Sequence, residues 1–427
     1  MSKAAYLFLS ALLSFGWGVL FVLGVIAGSW ALGLLIGTVV LAVLRTLTTL
    51  PPAVGSVILL FASVQWSLVV VEVSLRNLMA DALYYRAHER LIERWPEDPH
   101  LLRYRANASI EQPSVGDLGA MSGQPDWRVH KTIEFETDLA GFRNSNRVDS
   151  ARSVVVLGDS FAVGSGITQD LAWPEKLGPL LGREVVNLAI PSSPWMSLAN
   201  FWYESDRIGG FEQADVVLLL FAGNDLDEPY GKRRSFGSGK FTPPWWKKWQ
   251  IRLENLQRRC ALDKLIMMAT VADEYGDQVQ SVSRGGSSPI LFFKPYVERA
   301  VRQTSDIENH GNFSDLADIL RALANKVRRH GGRLTVVNVP SKVEIYPEFV
   351  GREYQPQAFG QVLAPVVAEI GAAWLDIGPA LRHEAQRRGA SGDLLWWPDD
   401  THWNADGHQL VAQLVAQHLQ RLDAESQ

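Results

Sequence analysis

The chain has 427 residues, of which 47% are hydrophobic and 20% are charged, so it is long enough for more than one folded unit and too apolar for bulk disorder. The formal net charge is −5, which argues against a general nucleic-acid binder. The sequence has one cysteine, Cys260, which excludes an intramolecular disulfide and a cysteine-based metal cluster.

The N-terminal segment is almost free of charge. From Ala4 to Val71 the sequence carries a single charged residue, Arg45, and the first 41 residues of this run are about twice as long as one membrane-spanning helix requires. A Gly-Ser-Trp turn at Ser29 and the helix-breaking pair Pro51-Pro52 divide the run. The sequence therefore predicts a transmembrane anchor over residues 1–74, with three spans at about 4–27, 30–49 and 53–73.

The few cations near these spans predict their orientation. Lys3 and Arg45 lie at span ends that three alternating helices place on one side of the bilayer, and the positive-inside rule makes that side cytoplasmic. The C-terminal part is then expected outside the cytoplasm, at the inner membrane. Two spans would reverse this orientation. A cleaved signal peptide ending at Val25-Ile26-Ala27 is the alternative for the first apolar run.

Beyond the anchor the sequence indicates an α/β domain. Residues 75–150 predict a linker and accessory segment, with a helix from Asn77 to Trp95, a linker from Glu111 to Pro125 and a strand from Lys131 to Thr137. Strand-helix alternation then predicts an α/β domain over 151–422, with strands at 153–157, 184–188, 215–221, 333–339 and 373–377. All-apolar strands in this alternation predict a parallel sheet covered by helices on both faces, with the chemistry at the carboxyl ends of the strands.

Residues 228–310 interrupt the alternation and form a predicted insertion. Between Lys232 and Cys260 there are nine Lys or Arg residues and one acid, and three tryptophans, Trp245, Trp246 and Trp249, lie among these cations. A solvated basic loop and helix would explain the pattern. The functional alternatives are a contact with anionic lipid headgroups or with an anionic polymer, and interfacial tryptophans favour the lipid.

Side chains suited to acyl transfer follow apolar segments at three places. Ser160, in a Gly-Asp-Ser triplet after the first strand, can act as a nucleophile and donate its backbone N–H to an oxyanion. Asn224 follows the third strand and can aim its side-chain amide at the same developing charge. Near the C-terminus, Asp399 and Asp400 precede His402, and a carboxylate at this spacing can orient the imidazole that takes the serine proton.

Each of these segments also has a purely structural interpretation. The Gly-Asp-Ser triplet can cap a helix, Gly223-Asn224-Asp225 is favourable turn chemistry, and Asp400 or Asn404 can cap the last helix. Their appearance in order, each just past an apolar segment, favours one catalytic set over three unrelated caps and turns.

Together these motifs resemble the SGNH (GDSL-type) esterases and acyltransferases over about residues 150–422. The Gly-Asp-Ser triplet at Ser160 is similar to the family's first block, Ala222 to Asp225 to its third, and Asp399 to His402 to its last. The resemblance implies a three-layer α/β/α, flavodoxin-like fold with a five-stranded parallel sheet. It also implies Ser160 as the nucleophile, His402 as the base, and an oxyanion hole formed by Ser160, Ser192 and Asn224.

Two positions depart from the family pattern. Ser192 and Ala222 stand where the second and third blocks normally have glycine, although a backbone N–H donor survives the first exchange. The triad acid has two candidates. Most members place it three residues before the histidine, at Asp399, whereas membrane-linked relatives with an Asp-Thr-His-Trp pattern place it two before, at Asp400, and Trp403 favours the second.

Two segments, Pro340 to Pro347 and Asp400 to Trp403, also resemble the alginate-type polysaccharide O-acetylation proteins, in which the Asp-His segment precedes the serine segment rather than following it. The resemblances imply a membrane-anchored serine esterase or O-acyltransferase that acts on acetyl or other acyl esters of a cell-envelope or exported polysaccharide, without metal or cofactor. The implied partners are the lipid bilayer, an acylated glycan or other ester, and a polytopic membrane acyltransferase, with no nucleic acid. The alternatives are a non-catalytic assembly or polysaccharide-binding subunit of a membrane export or modification complex, and a lipase or thioesterase.

Overall fold

The computed structural model describes residues 86–98, 100–145, 153–208, 211–228, 244–258, 276–284, 287–389 and 393–425, together with residues 67, 71, 74 and 75. The spans predicted at 4–27 and 30–49, and nearly all of the span at 53–73, lie outside the described residues. Within the described part of the chain, no helix combines the length and apolar character needed to cross a bilayer. The anchor and its orientation stay predictions.

The chain divides into two compact units. One consists of residues 1–84 and 242–271, and the other of residues 85–241 and 272–427. In the first unit the described part is mainly one helix, Trp245–Arg258. The second unit holds the strands and the other helices described below.

Eleven strands are described, and all of them lie in the second unit. In chain order they are β1 (Ile92–Arg94), β2 (Leu102–Tyr104), β3 (Ser109–Ser114), β4 (Lys131–Glu136), β5 (Val154–Leu157), β6 (Val185–Asn187), β7 (Asp215–Phe221), β8 (Val279–Arg284), β9 (Ser287–Phe293), β10 (Arg333–Val339) and β11 (Ala373–Asp376).

Five of these strands form the central sheet in the order β11-β10-β7-β5-β6, and every neighbouring pair is parallel. The residues of β5 and β7 are buried throughout, as expected for strands with helices on both faces. The predicted five-stranded parallel sheet is therefore confirmed. The bounds predicted for β7 and β10 agree residue for residue with the structure.

The strand order creates one switch point. Numbered along the chain, the five strands lie in the order 2-1-3-4-5 of flavodoxin-like sheets, so the winding direction reverses between β5 and β7. Open α/β sheets bind ligands in the crevice outside the carboxyl ends of the strands at this point.

The described residues include twelve α-helices. They are α1 (Asp117–Met121), α2 (Ser160–Val163), α3 (Trp173–Leu181), α4 (Pro194–Ile208), α5 (Trp245–Arg258), α6 (Lys294–Arg299), α7 (Thr304–Glu308), α8 (Phe313–Arg329), α9 (Lys342–Ile345), α10 (Ala358–Glu369), α11 (Gly378–Arg388) and α12 (Ala405–Glu425). Short 3₁₀ turns lie at Ala87–Leu91, Pro125–Trp127, Gln169–Leu171 and Pro347–Val350.

Helix α8 illustrates how the helices pack. Its Leu316, Leu320, Leu323 and Val327 recur at helical spacing and are all buried, so one apolar stripe faces the core. Helix α8 packs against α4, and α12 packs against α3. These two helix pairs supply the outer layers of the predicted α/β/α arrangement.

The segment before the sheet differs from its prediction. Residues 92–94, expected in a helix from Asn77 to Trp95, form β1 and pair antiparallel with β2. The expected linker from Glu111 to Pro125 instead contributes to β3, which pairs antiparallel with β4, and forms α1. The Gly, Pro and Ser content of this segment indicated a loop, but ladder hydrogen bonds from a distant strand outweigh that local preference.

Candidate active site

Ser160 begins the short helix α2 directly after β5. Gly158, in the turn before it, has a φ of 141°, and a Cβ there would lie 2.8 Å from the Cβ of Ala162, so the turn requires glycine. Asp159 caps the helix by accepting a hydrogen bond from the backbone N–H of Phe161 at 2.9 Å. The serine therefore lies at the carboxyl end of β5, beside the switch point of the sheet.

The structure brings Ser160 into contact with the expected histidine. Ser160 Oγ lies 2.8 Å from Nε2 of His402, and Nδ1 of the same ring lies 2.8 Å from Oδ1 of Asp400. The backbone N–H of His402 also donates to Asp400 Oδ1 at 3.1 Å. With its proton on Nδ1, the ring donates to the carboxylate and can accept the serine proton at Nε2.

Asp399 makes its hydrogen bonds elsewhere. Its Oδ2 accepts the backbone N–H groups of Gly116 at 2.9 Å and Val129 at 2.8 Å, and its carbonyl oxygen accepts the N–H of Gly119 at 2.9 Å. A Cβ on Gly116 would lie 2.1 Å from that carbonyl oxygen, so glycine permits the close approach. Burial raises the pKa of Asp399. These hydrogen bonds attach the segment around α1 to the loop of residues 397–402, which is called the Asp-His loop below.

Two cations from the segment before β5 face Asp400. Arg86 Nη2 lies 3.2 Å from Oδ1, and Lys131 Nζ lies 3.4 Å from Oδ2. Burial by itself would raise the pKa of Asp400, but Lys131, Arg86 and the hydrogen bond to His402 outweigh it and hold the pKa well below its usual range. Asp400 is therefore ionised near neutral pH and can stabilise an imidazolium ion.

Asp117, at the start of α1, connects Arg86 to the Asp-His loop. Its carboxylate accepts Arg86 Nη2 at 2.6 Å, and it accepts the backbone N–H and the hydroxyl of Thr401 at 2.8 and 2.5 Å. Arg86 Nη2 also lies 2.9 Å from His402 Nδ1. Burial raises the pKa of Asp117, and the negative charge of Asp400 adds to this.

The same groups form the candidate metal-ligand cluster of the described residues. Ligand atoms of Asp117, Asp400 and His402 lie within 4.8 Å of one another. The Arg86 guanidinium lies within hydrogen-bonding distance of all three side chains. It thus supplies the positive charge that this arrangement of acids attracts.

The two remaining oxyanion candidates follow the strands that flank β5. Ser192 lies in the loop after β6, and this loop is joined to the nucleophile turn by the N–H of Ile190, which donates to the Gly158 carbonyl at 3.3 Å. Asn224 lies in the turn after β7, where its Nδ2 donates to Oε1 of Glu228 at 2.9 Å. Because the amide nitrogen carries two N–H groups, the bond to Glu228 leaves a second N–H that can meet an oxyanion.

Acidic side chains lie behind the nucleophile turn. Burial raises the pKa of Asp159 to about 7 and also raises the pKa values of Asp225 and Glu228. Repulsion between the carboxylates adds to the shift, since Glu228 raises the pKa of the other two. A change of charge near Ser160 is therefore expected at higher pH than for ordinary carboxylates.

Comparison with known proteins adds a family to this geometry. Residues 296–427 match the family described as "SGNH hydrolase-like domain, acetyltransferase AlgX". The resemblance to the SGNH family is confirmed. The matched segment contains Asp400 and His402, whereas Ser160 precedes it.

Two relatives carry the name "Probable alginate O-acetylase AlgJ". The one from Pseudomonas fluorescens is 26% identical over 120 residues, covering 28% of this chain and 29% of the relative. The one from Pseudomonas aeruginosa (strain PAO1) is 26% identical over 101 residues, covering 24% of this chain and 25% of the relative. The chain thus spans less than a third of the length of these relatives.

Solved structures also align with the chain. One titled "Crystal Structure of TesA" is 13% identical with a TM-score of 0.34, covering 64% of this chain and 99% of the other. A carbohydrate esterase family 2 enzyme from Corynascus thermopiles (Myceliophthora fergusii) is 10% identical with a TM-score of 0.34, covering 73% and 86% of the two chains.

Lys342 is a buried lysine to which the sequence analysis assigned no function, and it holds the Asp-His loop of this SGNH-like domain in place. Lys342 Nζ lies within hydrogen-bonding distance of the carbonyl oxygens of Leu291, Trp397, Pro398 and Asp400, at 2.9, 2.8, 2.9 and 3.2 Å, and its three N–H groups are shared among them. Burial lowers the pKa of Lys342 to about 7. The Pro-Ser-Lys triplet, singled out for its likeness to the alginate-type proteins, was the signal that pointed to it.

An arginine has the same function on the serine side of the SGNH-like site. Arg143 donates to the carbonyl oxygens of Val163, Gly164 and Ile167 at 3.3, 2.6 and 2.9 Å, and so fixes the turn that follows α2. Its Nε donates to Oε1 of Gln169 at 2.8 Å. The sequence analysis assigned no function to this arginine.

Proposed function

We propose that this chain is a serine O-acyltransferase or esterase of SGNH type, acting on acetyl esters of a cell-envelope or exported polysaccharide. The observation that carries the proposal is the continuous contact from Ser160 Oγ to His402 Nε2 and from His402 Nδ1 to Asp400, each at 2.8 Å. The named alginate O-acetylases among the relatives support a polysaccharide and an acetyl group as the substrate class.

In the first half of the proposed reaction, Ser160 Oγ attacks the carbonyl carbon of the ester while its proton moves to His402 Nε2. The negative oxygen of the tetrahedral intermediate is stabilised by the N–H groups of Ser160 and Ser192 and by the second N–H of the Asn224 amide. The bond to the leaving oxygen then breaks, and His402 returns its proton to that oxygen. An acetyl-serine remains.

In the second half, a hydroxyl group resolves the acetyl-serine. His402 removes the proton of a sugar hydroxyl or of water, and that oxygen attacks the acetyl carbon. The bond to Ser160 Oγ breaks, and the serine regains its proton from the imidazolium. A sugar acceptor gives O-acetyl transfer, and water gives hydrolysis. Throughout both halves, ionised Asp400 offsets the charge on the ring.

We also propose that residues 1–74 anchor the chain in the inner membrane and keep the catalytic domain on the periplasmic side. The support is the nearly uncharged sequence from Ala4 to Val71 together with Lys3 and Arg45. A polytopic membrane acyltransferase would then be the partner that supplies the acetyl group. Alkaline phosphatase fused to the C-terminus should be active, because this enzyme works only outside the cytoplasm. If a reporter that works only in the cytoplasm is active there instead, the three-span orientation is contradicted.

A fluorophosphonate probe and a chromogenic acetyl ester test the catalytic proposal on the full chain in detergent. Labelling and ester cleavage should both be lost in Ser160→Ala and in His402→Ala, with Ser165→Ala, a nearby buried serine, as the matched control. Mass spectrometry of acetylated and free sugar oligomers then separates transfer from hydrolysis. Labelling that persists in Ser160→Ala would remove the nucleophile and favour the non-catalytic binding subunit.

A further inference from the structure

Helix α5 in the basic, tryptophan-rich insertion has two distinct faces. With 3.6 residues per turn, each residue advances about 100°, so Ile251 and Asn255 fall on one side and Trp245, Trp246 and Trp249 fall on the other. Ile251 and Asn255 are buried, whereas the three tryptophans are 75%, 56% and 55% exposed. The helix has therefore packed one face and left a second, aromatic face open.

This open face differs from the other exposed hydrophobic side chains of the described residues. Leu139, Leu180, Val301 and Tyr354 are also exposed, but they are scattered along the chain and come from separate segments. Three indoles on neighbouring turns of one helix form a continuous apolar patch. Patches of this kind on a protein surface mark sites that another apolar layer or molecule covers.

Positive charge borders the patch. The Arg252 guanidinium lies 5.3 Å from the centre of the Trp249 ring, and Lys247 lies next to Trp246 on the helix, with its Nζ 3.1 Å from Gln250 Oε1. The wider sequence from 232 to 260 contains nine Lys or Arg residues and one acidic residue. The molecule that covers this face must therefore carry negative charge and also offer a surface against which tryptophan rings can pack.

An anionic membrane surface and an anionic polysaccharide both meet this description, and two observations favour the membrane. Helix α5 belongs to the same compact unit as residues 1–84, whose sequence carries one charge between Ala4 and Val71. Tryptophans beside cations are also typical of helices that lie in the headgroup layer. We propose that α5 lies along an anionic bilayer surface, with Trp245, Trp246 and Trp249 directed into the lipid.

The test places a fluorescent reporter on α5 in the full chain. An environment-sensitive label is attached at Gln250→Cys, next to the tryptophan face, after Cys260→Ser removes the native thiol. A label at the exposed Gln361→Cys on α10 is the matched control. Each protein is reconstituted into phosphatidylcholine vesicles, with or without phosphatidylglycerol, and quenched with spin-labelled lipid or with aqueous iodide.

In vesicles with phosphatidylglycerol, the α5 label should be quenched by the spin-labelled lipid and protected from iodide, and the α10 label should show the reverse. Lys247→Gln with Arg252→Gln should weaken the lipid contact roughly fivefold per cation removed, whereas Arg329→Gln on α8 should leave it unchanged. Replacing the three tryptophans with alanine should abolish lipid quenching. Lys247 is half-buried, whereas Arg252, Arg329 and the three tryptophans are exposed, and circular dichroism checks that the fold is kept.

Three results would overturn the proposal. The α5 label could respond to lipid no more than the α10 label does, which would remove the membrane contact. It could respond equally with and without phosphatidylglycerol, which would remove the role of anionic lipid. It could be protected from iodide by soluble alginate and not by either vesicle, which would assign the tryptophan face to an anionic polysaccharide.

Discussion

Replacing Asp400 with asparagine removes the charge that orients the His402 imidazole while keeping the size of the side chain. In the wild-type protein, Asp400 Oδ1 lies 2.8 Å from His402 Nδ1 and accepts its proton. An amide at this position can donate instead, so the ring turns to the tautomer that carries its proton on Nε2. That tautomer cannot accept the proton of Ser160.

The expected size of the effect follows from the chemistry of such sites. The equivalent change in a Ser-His-Asp site lowers kcat about 10⁴-fold, which corresponds to about 5.5 kcal/mol of activation free energy. Here the effect should be at least as large, because Arg86 and Lys131 then face the imidazole without their shared carboxylate.

The adjacent Asp399→Asn variant is the matched control. Asp399 uses one oxygen, Oδ2, for the N–H groups of Gly116 and Val129, and an asparagine carbonyl can keep both hydrogen bonds. We expect a loss of about 1 kcal/mol in the free energy of unfolding and a turnover within about threefold of wild type.

Turnover of a chromogenic acetyl ester and the rate of fluorophosphonate labelling measure both variants, and thermal melting followed by circular dichroism confirms that each is folded. The prediction is that labelling becomes very slow in Asp400→Asn alone. Equal losses in two well-folded variants, or a larger loss in Asp399→Asn, would refute the assignment of Asp400 as the orienting acid.

Three further variants address the groups that support the triad. Arg86→Gln should lower the free energy of unfolding by about 3–5 kcal/mol, since it leaves Asp117 buried without its cation; a denaturant titration that shows no loss would contradict this. Lys342→Met should lower kcat for the acetyl ester more than it changes KM, because three carbonyl groups of the Asp-His loop and one of β9 lose their donor, and a pure KM effect would argue for a substrate contact instead. Asp159→Asn should flatten the pH dependence of stability. In the wild-type protein, the folded-state pKa of Asp159 is about 7, above its ordinary value of 3.8, so the free energy of unfolding falls as the pH rises from about 4 to about 7. Identical melting-temperature profiles for the two proteins across this range would contradict the assignment.

The central sheet was predictable because its strands are unambiguous. Buried parallel strands need apolar residues on both faces, and segments such as Val154–Leu157 and Asp215–Phe221 have few other interpretations in the sequence. Ser160, Asn224 and His402 each follow an apolar segment, and the strand-end rule was sufficient to bring Ser160 and Asn224 to one edge of the sheet. The preference for Asp400 over Asp399 rested only on resemblance; in the structure the Asp400 carboxylate lies 2.8 Å from His402 Nδ1, and the role of orienting acid stays a prediction.

The charges around the triad could not be predicted in the same way. Arg86 lies before a 3₁₀ turn, Asp117 begins the short helix α1 and Lys131 begins β4, and the sequence around them is polar and rich in loop-forming residues. Nothing in that sequence states which end of a two-stranded ribbon will dock against a loop about 300 residues away. Their function is defined by tertiary contacts, such as that between Asp117 and Thr401, and not by periodicity.

The paired aspartates make the histidine sensitive to structure far from the sheet. Asp399 accepts hydrogen bonds from the backbone N–H groups of Gly116 and Val129, and the adjacent residue, Asp400, accepts one from the His402 imidazole. The position of the segment around Gly116 and Val129 is therefore linked through two adjacent residues to the position of the imidazole. A fragment starting at residue 151 would lack this linkage altogether. A protein that bound the segment around α1 and moved it could lower the proposed acyl-transfer activity without entering the crevice.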